Sequence, residues 1–301
     1  MAADAQLALA AVLTLVVVLG VLGNIAVVIS ICRTRNLLKS NHYYLLLHLA
    51  ICDLLYLVFF TEGIYGIFKD DPVWMTSISY FWCKLLWPAQ TFVFTAAPNF
   101  LVLISIIRYR SIVQPLKPAI SRRTLKLLST AVWVLAIIWT IPYVIVLKFD
   151  KTSGCNEEWP LESLSFAYTI FLANVQYFTP ATILSIIYFK ICKKIIKQNR
   201  IMSMNTCNQL QQQNVRVPTS FQSLRYRNTK TFLVIFVIVT CFIVCAGPLQ
   251  VTMIVSVMRS KELPSYDSWL FVPYMLGTVV LNPFLYGVLD SKVFSFFTHL
   301  H

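Results

Sequence analysis

Leu103–Leu116 reads LISIIRYRSIVQPL. An uncharged apolar run ends in Arg108, Tyr109 and Arg110, and the stretch contains no acidic residue. An arginine there needs water, a lipid headgroup or a partner, because nothing beside it in sequence neutralises its charge. The surrounding composition says which solvent the run meets. The chain of 301 residues is 58% hydrophobic and 12% charged, with a mean hydropathy of +0.71. That is too apolar for an ordinary water-soluble domain, so the stretch is read as the end of a helix leaving a bilayer.

A helix that crosses the hydrocarbon core needs about 20 mostly apolar residues. Uncharged runs of this length occur at Leu7–Cys32, Leu85–Ile107, Leu127–Leu147, Leu164–Phe189, Thr231–Met258 and Ser268–Leu289. A seventh, Tyr43–Phe68, carries Asp53 and Glu62 but is otherwise apolar. The expected architecture is an all-α membrane protein, a bundle of seven transmembrane helices in one domain covering 1–301. Its spans are expected at 7–32, 43–68, 85–108, 127–147, 164–190, 231–258 and 268–289. The short alternating segments of a membrane β-barrel are absent from the sequence.

Charge sets the expected orientation. Nineteen of the 25 Lys and Arg residues fall after spans one, three and five or in the tail, where Asp290 is the single acid. The opposite side holds most of the acids, including Asp70, Asp71, Glu157, Glu158 and Glu162. By the positive-inside rule the amino terminus is outside and the tail cytosolic. The net charge of +13 then reflects topology and a basic face near anionic lipid, not nucleic-acid binding. No basic region precedes the first hydrophobic run, which is read as span one and not as a signal peptide. The segment 198–228, with its Gln-rich patch and Pro218, is expected to be a mobile cytosolic loop.

Of eight cysteines, only Cys83 and Cys155 fall on the oxidising face of this topology. They are expected to form a disulfide tying the loop after span four to the top of span three. Two separate free thiols are the alternative. Enzyme chemistry finds no support: H-E-x-x-H, G-x-S-x-G and Cys/His metal spacings are missing, and there are four histidines. No metal or cofactor is expected. A seven-span transporter or lipid scramblase is a remote alternative, since Asp53 is the one deeply placed charge and such proteins need a polar path.

The runs also carry a set of motifs in order. Span one has Gly23–Asn24, span two LAICDLL with Asp53, and Cys83 stands 25 residues before Arg108. Arg108 is followed by Tyr109, Ile112, Pro115 and Leu116, span four has Trp133 and Pro142, and span five Pro180 and Tyr188. Span six has Phe242 and Pro248, and span seven LNPFLYG with Asn282, Pro283 and Tyr286. Along nearly its whole length the chain resembles the rhodopsin-like (class A) G-protein-coupled receptors, neuropeptide receptors in particular. The resemblance implies G-protein coupling at Arg108, Tyr109, Ile112, Leu116, Tyr188 and Tyr286. It also implies an activation relay through Asn24, Asp53, Phe242, Pro248, Asn282 and Pro283. A polar cluster that only holds helices together is the plainer reading of Asn24, Asp53 and Asn282.

Departures from the resembled pattern are equally specific. Ile107 replaces the acid that normally precedes Arg108, so raised basal signalling is expected. Ala246 replaces the usual tryptophan two residues before Pro248, and Ala97 and Thr278 replace the usual Ser and Asn near Asp53. Gln90 stands where amine receptors carry an aspartate, and span seven has no lysine for a retinal Schiff base. The outer third of the bundle instead gathers Glu62, Trp87, Gln90, Phe94, Gln176, Tyr177, Gln250 and Tyr274 as a candidate ligand pocket. With the acidic run CNEEWPLE above it, this suits an extracellular peptide ligand with a basic or amidated end. A small amphipathic ligand, or a constitutively active receptor with drifted motifs, is the alternative. The tail offers only Ser291, Ser295 and Thr298, so arrestin binding through it is expected to be weak. Its run SKVFSFF has the pattern of a short amphipathic eighth helix on the membrane.

Overall fold

The computed structural model describes residues 3–68, 80–150, 154–212, 219–259 and 269–289. Seven helices are labelled here in chain order. They are α1 (Ala3–Arg33), α2 (Asn41–Phe68), α3 (Trp82–Leu86 continued by Trp87–Val113) and α4 (Arg122–Val146). Then come α5 (Glu162–Ala173, Asn174–Phe178 and Thr179–Gln212), α6 (Thr219–Met258) and α7 (Phe271–Met275, Leu276–Val280 and Leu281–Leu289). A short helix, Arg35–Lys39, joins α1 to α2. A two-stranded antiparallel hairpin of β1 (Leu147–Asp150) and β2 (Gly154–Glu157) follows α4, with Phe149 opposite Cys155. The described residues contain six helices long and apolar enough to cross a membrane and a shorter apolar one, Phe271–Leu285.

Packing follows chain order around a centre. α1 packs on α2 and α7, α5 on α6, and α6 on α7, while α3 contacts α2, α4 and α5. The core runs through Leu9, Leu13, Leu46, Leu57, Phe100, Ile104 and Leu184, and outward rows such as Leu127, Val134 and Ile145 lie exposed. Apolar residues on both faces leave no hydrophobic force to join helices inside lipid, so close fit and polar contacts must do it. Trp133 donates from Nε1 to His48 Nδ1 at 3.2 Å and packs on Phe92 and Phe100, tying α4 to α2 and α3. Gly23 lets Pro283 of α7 approach, because a Cβ there would stand 2.8 Å from the proline ring.

Prolines shape the helices in two ways. Pro88, Pro180 and Pro283 each follow a π-helical turn, at Trp82–Leu86, Asn174–Phe178 and Leu276–Val280. A proline lacks its N–H and crowds the carbonyl four residues back, and a widened turn relieves both. Pro98, Pro142 and Pro248 instead sit inside α-helix. There, side chains reach carbonyls beside the gap. Asn99 Nδ2 donates to Thr95 O at 2.8 Å, Tyr168 OH to Trp139 O at 2.9 Å, and Tyr177 OH to Ile243 O at 2.8 Å.

The helices overrun the apolar runs read from the sequence. α5 continues to Gln212 and α6 begins at Thr219, well into the segment expected to be a loop. No Pro or Gly lies between Gln198 and Gln212, and its Gln, Arg, Met and Leu residues are good helix formers once the chain is in water. The segment 213–218 and the tail 290–301, where the eighth helix was expected, lie outside the described residues.

Candidate ligand cavity and transmission sites

At the hairpin end the helices diverge around a cavity of about 610 Å³. α3 supplies Trp87, Gln90, Thr91 and Phe94, α5 supplies Tyr168, Thr169, Leu172 and Gln176, and α6 supplies Leu249, Gln250 and Met253. Tyr56, Phe59 and Phe60 of α2 and Phe271 of α7 close the aromatic side. The spacing 168, 172, 176 is one face of a helix at i, i+4 and i+8, which is why α5 contributes a stripe.

Its polar groups form a connected row. Gln250 Nε2 donates to Gln176 Oε1 at 3.4 Å, Gln176 Nε2 to Thr95 Oγ1 at 2.9 Å, and Thr95 Oγ1 to Thr91 O at 2.8 Å. The two buried glutamines thus bridge α6, α5 and α3 across the cavity floor, satisfying groups that would be costly alone. Glu157 enters from the hairpin, and Trp159 Nε1 donates to its Oε2 at 2.7 Å. The Cys83–Cys155 disulfide holds that hairpin to the start of α3, with the two Cα atoms 5.6 Å apart. Lys84 Nζ also donates to Leu147 O, a second tie between α3 and β1.

Of the residues expected in the pocket, Trp87, Gln90, Phe94, Gln176 and Gln250 line this cavity. Tyr177 and Tyr274 stand outside its wall. Tyr177 turns toward α6, where its ring packs on Phe242 with centroids 5.8 Å apart. Tyr274 lies below the floor, stacked on Phe94 at 5.0 Å and edge-on to Tyr56 at 5.6 Å. Glu62 belongs to α2, but its side chain is outside the described residues. Glu157 and Tyr168 were not singled out as pocket residues in the sequence. Two signals were there: Glu157 lies two residues after a cysteine that the bridge brings over the bundle, and Tyr168 lies eight before Gln176.

Beneath the floor is the second group. Asn282 Nδ2 donates to Asp53 Oδ2 at 3.3 Å, and Asn24 Nδ2 donates to Gly20 O at 3.0 Å and Val279 O at 3.3 Å. Asp53, Asn24 and Asn282 are all buried. A cavity of about 30 Å³ beside Asp53 is lined by Pro98, Phe242, Tyr274, Thr278 and Asn282, room for about one water. Pro248 lies on α6 above Phe242, and Pro283 follows Asn282 into the packing against Gly23.

The third group lies at the opposite end of the bundle. Arg108 and Tyr109 close the last turns of α3, and Ile112 packs against the core from the same segment. Tyr188 is buried, and its hydroxyl lies 3.1 Å from Ser105 Oγ, a partner that the sequence reading missed. After Gln114 the chain turns, and Leu116 projects with 99% of its surface exposed. Arg110 Nη2 donates to Pro118 O at 3.0 Å, closing the loop that carries it. Arg122, at the start of α4, holds the loop from the other side by donating to Leu38 O at 3.0 Å and stacking on Tyr44 at 3.9 Å. Tyr286 lies on α7, with its side chain outside the described residues.

A cavity roofed by a bridged hairpin, a buried Asp–Asn pair and an arginine at the far end of the central helix match one family. The profile of the "7 transmembrane receptor (rhodopsin family)" matches residues 23–286. The chain belongs to this family. Curated relatives agree. It is 26% identical to neuropeptide receptor 15 of Caenorhabditis elegans, over 91% of this chain and 84% of that protein. It is 27% identical to melatonin receptor type 1C of Gallus gallus (97% and 81%) and 25% to human neuropeptide Y receptor type 4-2 (91% and 74%). It is a multi-pass membrane protein and a G-protein-coupled receptor, not an enzyme. Within the receptor the three groups stand in series along α3, from Gln90 through Pro98 to Arg108.

Proposed function

We propose that this receptor lies in the plasma membrane with its amino terminus outside and binds an extracellular peptide in the hairpin-end cavity. The observation that carries the ligand reading is the cavity's polarity. Neutral amides at Gln90, Gln176 and Gln250 suit an amide or carbonyl-rich group, and Glu157 above them suits a cation. Aromatic walls then bury the apolar part of such a ligand. Two of the relatives above are named as neuropeptide receptors, which supports the same class.

Coupling to a heterotrimeric G protein runs through Arg108, Tyr109, Ile112, Leu116, Tyr188 and Tyr286 at the other end. The relay between the two sites is Asn24, Asp53, Phe242, Pro248, Asn282 and Pro283. A ligand that binds the state with α6 swung outward more tightly shifts the receptor toward it. The basic loops of this end face anionic lipid. The whole chain acts as one seven-helix domain.

Dose-dependent nucleotide exchange should follow from some member of a basic or amidated peptide library added to membranes containing the receptor. A response confined to small neutral metabolites would overturn the peptide reading. That second reading has its own support, since about 610 Å³ falls in the range of about 300–1,000 Å³ typical of small-molecule sites, and one relative is named as a melatonin receptor.

A further inference from the structure

Tyr56 of α2 lines the inner wall of the ligand cavity and is 4% exposed. Three aromatic rings fix its own. Phe60 of the same helix lies 5.9 Å away between centroids, Phe94 of α3 6.0 Å and Tyr274 of α7 5.6 Å. The Tyr56 hydroxyl is buried and has no hydrogen-bond partner. Gln90 stands beside it, without the geometry that would complete a hydrogen bond. Two other cavity amides are already engaged, Gln250 with Gln176 and Gln176 with Thr95. A buried hydroxyl left unpaired costs stability, so its place on the wall of a cavity points to a ligand atom that completes it.

The charge of the cavity decides what that atom belongs to. Among the described residues no cationic side chain lines it, and Glu157, where the hairpin enters, is an acid. A carboxylate brought to Tyr56 would lose its water without gaining a counter-ion. A neutral carboxamide carries an acceptor for the Tyr56 O–H and donors for Gln90 Oε1 on one planar group. Gln90 is long and unbranched, and its rotation opens the hydroxyl to the cavity. At the inner wall a chain end fits where a mid-chain residue would need room for both flanking segments.

We propose that Tyr56 and Gln90 form a carboxamide subsite, which selects peptides ending in an amide over those ending in a free acid. This rests on the peptide reading of the cavity and adds to it the end group and the residue that checks it. The carbonyl oxygen of the ligand amide accepts from Tyr56, and its NH2 donates to Gln90. A free carboxylate would accept from both side chains but stay an uncompensated buried charge.

The test uses the full chain in membranes and a basic peptide library synthesised twice, with carboxamide and with free-carboxylate ends. Active members should stimulate nucleotide exchange at about tenfold lower concentration, or better, in the amide form. In Tyr56→Phe that ratio should fall below about threefold, through lost potency of the amide form. The same variant, purified without peptide, should melt at the parent's temperature or higher, because it removes an unpaired buried hydroxyl. Gln90→Lys supplies the missing cation and should turn the preference toward the free acid. Equal potency of the two forms in the parent, or an unchanged ratio in folded Tyr56→Phe or Gln90→Lys, overturns the subsite. So does a lower melting temperature of Tyr56→Phe, or potency set by an internal Asn or Gln side chain and not by the end group. No response to any peptide in either form overturns the peptide reading itself, and the subsite with it.

Discussion

Ala246 leaves α6 without the aromatic that the family pattern places before Pro248, and the neighbouring Gly247 shows what has taken its place. A Cβ at Gly247 would lie 2.6 Å from the hydroxyl of Tyr177, so the glycine is the seat of that tyrosine. The ring rests on Phe242 and the hydroxyl on Ile243 O, fastening α5 to α6 just before Pro248. Gly247→Ala should therefore destabilise the purified receptor by about 1–3 kcal/mol, the usual cost of overpacking. Tyr177→Leu in the same chain should restore part of the loss in a thermal melt. The second prediction concerns Ile107. An acid there would pair with Arg108 and favour the closed state, so Ile107→Asp should lower ligand-independent nucleotide exchange. Equal exchange in the two proteins would mean that other contacts set the closed state.

The hairpin is the element on which the proposed ligand site depends. β1 and β2 pair over four residues, too few to be stable alone, and the bridge from Cys155 to Cys83 supplies the anchor. Glu157 reaches the cavity only because that hairpin is held down. Cys83→Ser should weaken binding of an active ligand by about tenfold or more, about 1.4 kcal/mol, while helical circular dichroism is kept. α3 is the other decisive element. Pro98 lies in it between the ligand cavity and the Asp53 group, and around it Asn99 Nδ2 donates to Thr95 O and Thr95 Oγ1 to Thr91 O. Thr95 also receives Gln176, so the turn of helix before Pro98 and the floor of the cavity share one residue.

Across the whole molecule, the ligand cavity and the Arg108 end are joined through α3 and through α6, which carries Pro248 inside its helix. The exposed Leu116 and the clamp of Arg122 on the first connecting helix shape the face that a G protein would meet. Arg108→Ala should abolish ligand-stimulated nucleotide exchange while surface expression stays within twofold of the parent, about 0.4 kcal/mol. Retained coupling would remove Arg108 from the transmission path. An epitope tag at the amino terminus should be accessible on intact cells, and one at the carboxyl terminus only after permeabilisation, as the Lys/Arg asymmetry requires.

Uncharged runs, their number and the basic bias of alternate loops were legible in the sequence because the bilayer imposes a length and a charge rule on each segment separately. So were Arg108, Asp53 and the Cys83–Cys155 pair, whose chemistry is conspicuous wherever they fold. The tertiary structure alone decided what each side chain meets. Tyr177 faces α6 and not the ligand cavity, Tyr188 meets Ser105, and Glu157 and Tyr168 join the pocket. Those outcomes depend on helix rotation, on π-turns beside prolines and on a hairpin folded back by a bridge. Each is set by packing between segments far apart in the chain, about which local pattern carries no information.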